Sequence, residues 1–252
     1  MGRESAFRLL LVAFSVCLVC SVIVSAAAVF LKGHQDKNRL LFRKEAVLRA
    51  ARLYDPSRPV EEQFQRVTPR VVDLSSGWFA PQGVTTSPDQ GDPLPPDRDP
   101  AGIRKRPRYR EIYLVLDGNR VKQLILPVEG KGLWSTMYGF ISLGSDLSTV
   151  TGFGFYQHGE TPGLGGEVDN PRWLSLWPGK RVFDSAGALR LSVIKGRVDP
   201  SSPQALHQVD GLSGATLTTR GVDTLLRWWL GEEGFGPFVS RLREKGGVID
   251  GD

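Results

Sequence analysis

The stretch REIYLVLDGNRVKQLILPVEG, from Arg110 to Gly130, holds two apolar runs on either side of Asp117-Gly118-Asn119. Alternating apolar positions mark half-buried strands, and a short Asp-Gly-Asn break between two such runs is a hairpin signal. The spacing predicts two antiparallel strands. Downstream, YGFISLGSDLSTVTGFGFYQHGE (Tyr138 to Glu160) reads as a second pair joined around Gly144 to Leu147, and RVFDSAGALRLSVIKGRV (Arg181 to Val198) as a third hairpin. NPRWLSLW, Asn170 to Trp177, reads as a short helix with Pro171 in its first turn. GVDTLLRWWLG (Gly221 to Gly231) and GPFVSRLREKG (Gly236 to Gly246) close the chain as helices. Hairpins in succession, with helices between and after them, predict an α+β domain with a largely antiparallel sheet flanked by helices.

Upstream, VEEQFQRVTPRVVDL (Val60 to Leu74) supplies a short helix and then a strand entering SSGWF. NRLLFRKEAVLRAARL (Asn38 to Leu53) has helical periodicity and continues, or closely follows, the apolar segment before it. Residues 79–108 are rich in Pro, Asp, Arg and Gly and read as a surface insertion that adds nothing to the core.

The N-terminus is a different material. LLLVAFSVCLVCSVIVSAAAVFL, Leu9 to Leu31, contains no charge. As a helix rising ~1.5 Å per residue it covers roughly 34 Å, enough for a hydrocarbon core of about 30 Å. Ser25 to Ala28 has the small residues of a signal-cleavage site, but the apolar run exceeds the about 7–15 residues of a signal core. A retained transmembrane anchor over 9–31, with residues 1–8 as a cytoplasmic tail and 32–252 as the folded domain, is the expectation. The charges disagree on orientation. Arg3 and Arg8 precede the span, whereas Lys32, Lys37, Arg39, Arg43 and Lys44 follow it, and basic residues favour the cytoplasmic side.

The 252 residues carry a net charge of +5, but the basic residues are scattered. The densest runs, Lys37–Arg43 and Arg104–Arg110, lie beside the span and in a loop. No basic stripe interleaved with aromatics points to nucleic acid. The only cysteines, Cys17 and Cys20, sit inside the span and read as small membrane-helix residues. GFGFYQ (Gly152 to Gln157) is too short for a dinucleotide loop, and no lysine follows a glycine loop as in a nucleotide-binding P-loop. His34, His158 and His207 lack a partner at zinc-ligand spacing. GLSGA resembles a hydrolase nucleophile elbow, but no histidine follows Ser213 as that order requires.

DGLSGATLTTRGV, Asp210 to Val222, gathers hydroxyls and very small residues at a helix entrance. Serine, threonine and glycine are ordinary cap and turn residues. As a whole, however, Asp210-Gly211-Leu212-Ser213-Gly214-Ala215-Thr216 resembles the flavin-attachment motif of FMN-binding subunits in bacterial respiratory complexes. GKGLWSTMYGF (Gly130 to Phe140) and HGETPGLGGEV (His158 to Val168) are similar to that family's other flavin-side segments. The tryptophan-containing form is typical of the C subunits of the sodium-translocating NADH:quinone oxidoreductases. The related G subunits of Rnf complexes usually lack it.

This resemblance implies one covalent FMN per chain, held by a phosphoester bond at Thr216. Small residues at Gly214 and Ala215 leave room for a phosphoryl donor, and Thr218 or Thr219 would cap a helix whose N-terminus suits phosphate. Ser213 and Leu217 flank the attachment point. Glu160 and Thr161 would hydrogen-bond the flavin, Leu164 would pack on it, and Trp134 would stack or pack against it. The ordinary alternatives are a core aromatic for Trp134, a turn brace for Glu160 and a plain cap for Thr216. Asp210 is either read by the attaching enzyme or orients the turn. The family further implies a periplasmic flavin domain on the bacterial inner membrane, maturation by an FAD-dependent flavin transferase, and association with other membrane and flavin subunits. Its members pass electrons within a Na+-translocating, ubiquinone-reducing complex, binding neither NADH nor quinone themselves. An Rnf-type protein and a non-redox anchored binding protein are the alternative readings.

Overall fold

In the computed structural model, which describes residues 3–86 and 91–249, the chain divides into two units, residues 1–43 and 44–252. Helix α1 runs Arg3–Ala50 and is long and apolar enough to cross a membrane. Its apolar side chains from Leu9 to Leu31 are exposed along the helix. Ser15 and Ser21 turn their hydroxyls onto the carbonyls of Leu11 and Leu18, which satisfies a polar group that lipid would not. The periodic stretch from Asn38 continues α1 without a break, as far as Ala50.

The second unit is built on one sheet. Helix α2 (Val60–Phe64) leads into β1 (Thr68–Asp73) and β2 (Trp78–Phe79). After the short strands β3 (Asp92–Pro93) and β4 (Lys105–Arg106) come the four long strands: β5 (Tyr109–Asp117), β6 (Arg120–Lys131), β7 (Thr136–Leu143) and β8 (Val150–Gln157). The six-stranded order is β2-β1-β5-β6-β7-β8, antiparallel throughout. The β5–β6 hairpin closes on Gly118 and Asn119, with Gly118 at φ +57°. That is the first central position, where a tight hairpin turn favours glycine.

Strand side chains alternate between faces. Ile112, Leu114, Leu124, Leu126, Val128 and Ile141 fall in the main core, and Tyr113, Ile125 and Phe140 in a second core. The second core is completed by Val47, Leu48 and Ala50 from the last turns of α1, by Ala51 just after it and by Phe64 of α2. Burial on both faces explains the continuous apolar run Leu124–Val128 within β6. The main core is covered by helix α3 (Pro171–Leu174), helix α4 (Thr216–Leu230) and helix α5 (Gly236–Glu244). Helix α4 crosses β6 at glycine-sized clearance. A Cβ on Gly130 would meet the Leu225 Cβ at 2.6 Å, and one on Gly221 would meet the Lys131 carbonyl at 2.5 Å.

Two sequence readings need correction. The segment 181–198 is not a regular hairpin. Asp184 closes a turn by accepting the Ala186 and Ala188 N–H groups, and a single bridge joins Phe183 to Leu189. The chain then leaves, because β9 (Ser192–Val193) pairs in parallel with β10 (Gln208–Val209) and the Val193 N–H goes to Asp223. The Pro/Asp-rich insertion, in turn, does reach the core. Ala101 is buried, with Leu94 and Ile103 packed beside it, and the Ala101 carbonyl accepts the Lys131 N–H. Asp99 fixes this excursion by accepting the N–H groups of Ile103 and Arg104.

Candidate functional site

Three stretches far apart in the chain meet at one carboxylate. Glu160, only 5% exposed, lies in the loop after β8. Its Oε1 accepts the Trp134 and Ser135 N–H groups at 2.9 and 3.3 Å, and its Oε2 accepts the Leu133 N–H at 3.1 Å. The Thr218 hydroxyl, in the first turn of α4, donates to the same Oε2 at 2.7 Å. Burial acts to raise the Glu160 pKa, but the Thr218 hydroxyl and the N–H groups of Trp134, Leu133 and Ser135 outweigh it. The carboxyl is held below its ordinary range. Glycines make room for it: a Cβ on Gly132 or Gly165 would stand 2.6 or 2.8 Å from its oxygens.

The loop is stitched from its other end as well. The Ser135 hydroxyl accepts the Gly159 N–H at 2.6 Å. His158 accepts the Glu160 N–H at Nδ1, which leaves the Nε2–H to donate to Asp169 at 2.7 Å. The Thr161 carbonyl accepts the Leu164 and Gly166 N–H groups, and Gly163 turns the chain at φ +76°. Ser135, His158 and Asp169 escape a reading by motif. The only local hint is a histidine two residues ahead of a glutamate in a glycine-rich loop.

Helix α4 begins at Thr216, five residues earlier than its apolar periodicity suggests. Its N-cap residue is Ala215, with no capping side chain. Thr218 and Thr219 are therefore not caps. Both are buried inside the first turn, Thr218 bound to Glu160 and Thr219 accepting the Leu212 N–H at 3.0 Å. Ser213, Gly214, Thr216 and Leu217 are exposed and Ala215 is buried. Asp210 Oδ1 accepts the Val198 N–H at 2.9 Å, and the Asp210 carbonyl accepts the Trp173 indole N–H at 2.8 Å.

The surface around this turn is apolar in an unusual way. Trp134 is 71% exposed, Leu217 55%, Leu164 48% and Leu133 40%. Trp134 is thus not a core aromatic. A Cβ on Gly214 would lie 3.4 Å from the Leu164 Cδ2, so the glycine-rich loop and the threonine turn touch. Glu160, in contrast, has both oxygens engaged by the protein. An exposed hydroxyl, an uncapped helix N-terminus and exposed apolar side chains on adjoining turns fit a group with a phosphate at one end and a flat apolar ring at the other.

Fold and site together define an FMN-binding domain, and residues 132–231, which hold all three stretches, match the family model of that description. The chain is 52% identical over 256 aligned positions to the C subunit of the Na(+)-translocating NADH-quinone reductase of Pseudomonas aeruginosa, covering 96% of this chain and 98% of that one. Against the C subunit of the Yersinia pestis reductase it is 46% identical, with 96% and 95% covered. The crystal structure of Shewanella oneidensis NqrC matches with a TM-score of 0.69 at 33% identity, covering 80% of this chain and 96% of that one. The chain belongs to the family formed by the C subunits of the Na+-translocating NADH-quinone reductases.

Proposed function

We propose that this chain carries one FMN, joined to Thr216 by a phosphoester bond, and relays electrons singly inside a Na+-translocating NADH:ubiquinone oxidoreductase. The carrying observation is the exposed Thr216 hydroxyl on the first residue of an uncapped α4, beside the exposed Trp134, Leu164 and Leu217. In attachment the Thr216 oxygen bonds to the flavin-side phosphorus of FAD, the pyrophosphate bond breaks, AMP leaves and the hydroxyl proton is lost. A separate flavin transferase performs that step. Gly214 and Ala215 keep the approach clear, and the free N–H groups of the first turn of α4 favour the phosphate. Trp134, Leu164 and Leu217 would pack against the ring, and Thr161 and Ser213 would lie at its rim. Bound FMN supplies one-electron chemistry, and the protein holds and orients it.

Helix α1 anchors the chain in the bilayer of the bacterial inner membrane, with the flavin domain on the periplasmic side among the other subunits of the complex. The basic residues after the span run against that orientation, but a long domain crosses largely regardless of charge. The identity to the C-type relatives favours this reading over an Rnf-type protein. The test is Thr216→Ala, co-produced with a flavin transferase and examined on a denaturing gel under ultraviolet light. The expected band is dark, with the melting temperature unchanged; a fluorescent band would refute the assignment.

A further inference from the structure

Glu160 is nearly buried, yet its four hydrogen-bond partners are all neutral: three backbone N–H groups of 133–135 and the Thr218 hydroxyl. Those partners lie 25 to 58 residues away along the chain. The contact with Thr218 sits two residues beyond Thr216, within one turn of the same helix. A side chain at 132 or 165 would collide with this pair, since a Cβ on Gly132 would fall 2.6 Å from a Glu160 oxygen and one on Gly165 2.5 Å from the Thr218 hydroxyl. The cluster is thus a built junction in which each carboxylate oxygen accepts two hydrogen bonds from the chain itself.

We infer that Glu160 and Thr218 form a latch that positions the Thr216 hydroxyl against the Trp134 turn, so that the attachment site is assembled before any flavin arrives. Both are positioning residues, acting through Thr216 and Trp134. The inference rests on the function proposed above. Its physical basis is that a hydrogen bond to a charged acceptor in a buried setting holds two segments in one register, where packing alone would let them slide.

The test uses the full chain with a flavin transferase and FAD, following the growth of covalent flavin fluorescence with time. Thr218→Val keeps the shape and removes the hydroxyl, while Thr218→Ser keeps the hydroxyl and removes a methyl group. The latch predicts that Thr218→Val is flavinylated about tenfold more slowly, the scale of losing a hydrogen bond to a charged group, and that Thr218→Ser stays close to the native rate. A native rate in Thr218→Val, or an equal slowing in both variants, would overturn it, the second because packing would then be the cause. Should Thr218→Val not fold, Glu160→Gln serves the same purpose: slowed attachment supports the latch and a native rate overturns it. Thr216→Ala, run in parallel, keeps the two claims apart. Flavin on that variant would refute the proposed function itself, whereas its absence together with native rates in the latch variants would refute the latch alone.

Discussion

Helix α1 and the Thr216 turn with its neighbouring loops both leave apolar side chains outside the protein, and they do so by different means. Along α1, Leu9, Leu10, Leu11, Val12, Phe14 and their neighbours up to Leu31 are exposed on successive positions, and the serine hydroxyls among them return to their own helix. At the Thr216 turn and the loops beside it, Trp134, Leu164 and Leu217 are exposed, while the segments that carry Trp134 and Leu217 are fixed by bonds that converge on Glu160. The first pattern needs a solvent that is apolar all round. The second suits a ligand of definite shape, since a rigid seat with polar fixings behind it favours one shape over another.

Removing residues 1–31 gives the largest effect. The remaining chain keeps both cores of the second unit, including Val47, Leu48, Ala50 and Ala51. It is expected in the soluble fraction with a cooperative melt, and a truncated chain that stays with the membrane would break the contrast. Next comes a pair of tryptophans. Trp177 is fully buried and stacked on Phe153 at 4.0 Å, so Trp177→Ala should cost about 3–5 kcal/mol in denaturant unfolding. Trp134→Ala should stay within about 0.5 kcal/mol of native stability, yet alter the absorption and fluorescence of attached flavin. Equal destabilisation by the two would mean that Trp134 is structural after all.

The smallest effect is in acid. The folded pKa of Glu160 lies below its ordinary value of 4.5. Its ionised form therefore adds stability at neutral pH, and that stability is lost as pH falls from the unfolded value through the folded one. Glu160→Gln should lower the melting temperature at pH 7 and flatten its decline below about pH 4.5. It should also raise the potential of attached flavin, since a nearby negative charge opposes added electrons. Melting curves with an acid slope as steep as the native one would deny Glu160 that role.

How much of this was legible depends on how local the cause is. The β5–β6 hairpin could be read because Asp117-Gly118-Asn119 and the alternating runs beside it act within a few residues. The start of α4 could not. Thr216, Thr218 and Thr219 look like caps by composition, and the partner that takes the Thr218 hydroxyl inside the helix lies 58 residues away. A brace at Glu160 was among the sequence readings, but its partners were hidden for a similar reason, since three of them are backbone N–H groups that carry no side-chain signature. The 181–198 segment alternates like a hairpin because its apolar residues pack on the core, while its second arm pairs elsewhere. Ala101 shows the converse, one small buried residue inside a stretch whose composition signals only surface.

Covalent flavin on Thr216 is tested most sharply by the intact mass of the full-length chain matured with a flavin transferase, followed by peptide mapping. The expected gain is one FMN phosphoryl group, localised to Thr216. A mass equal to the bare polypeptide, or the flavin found on any other residue, would contradict it.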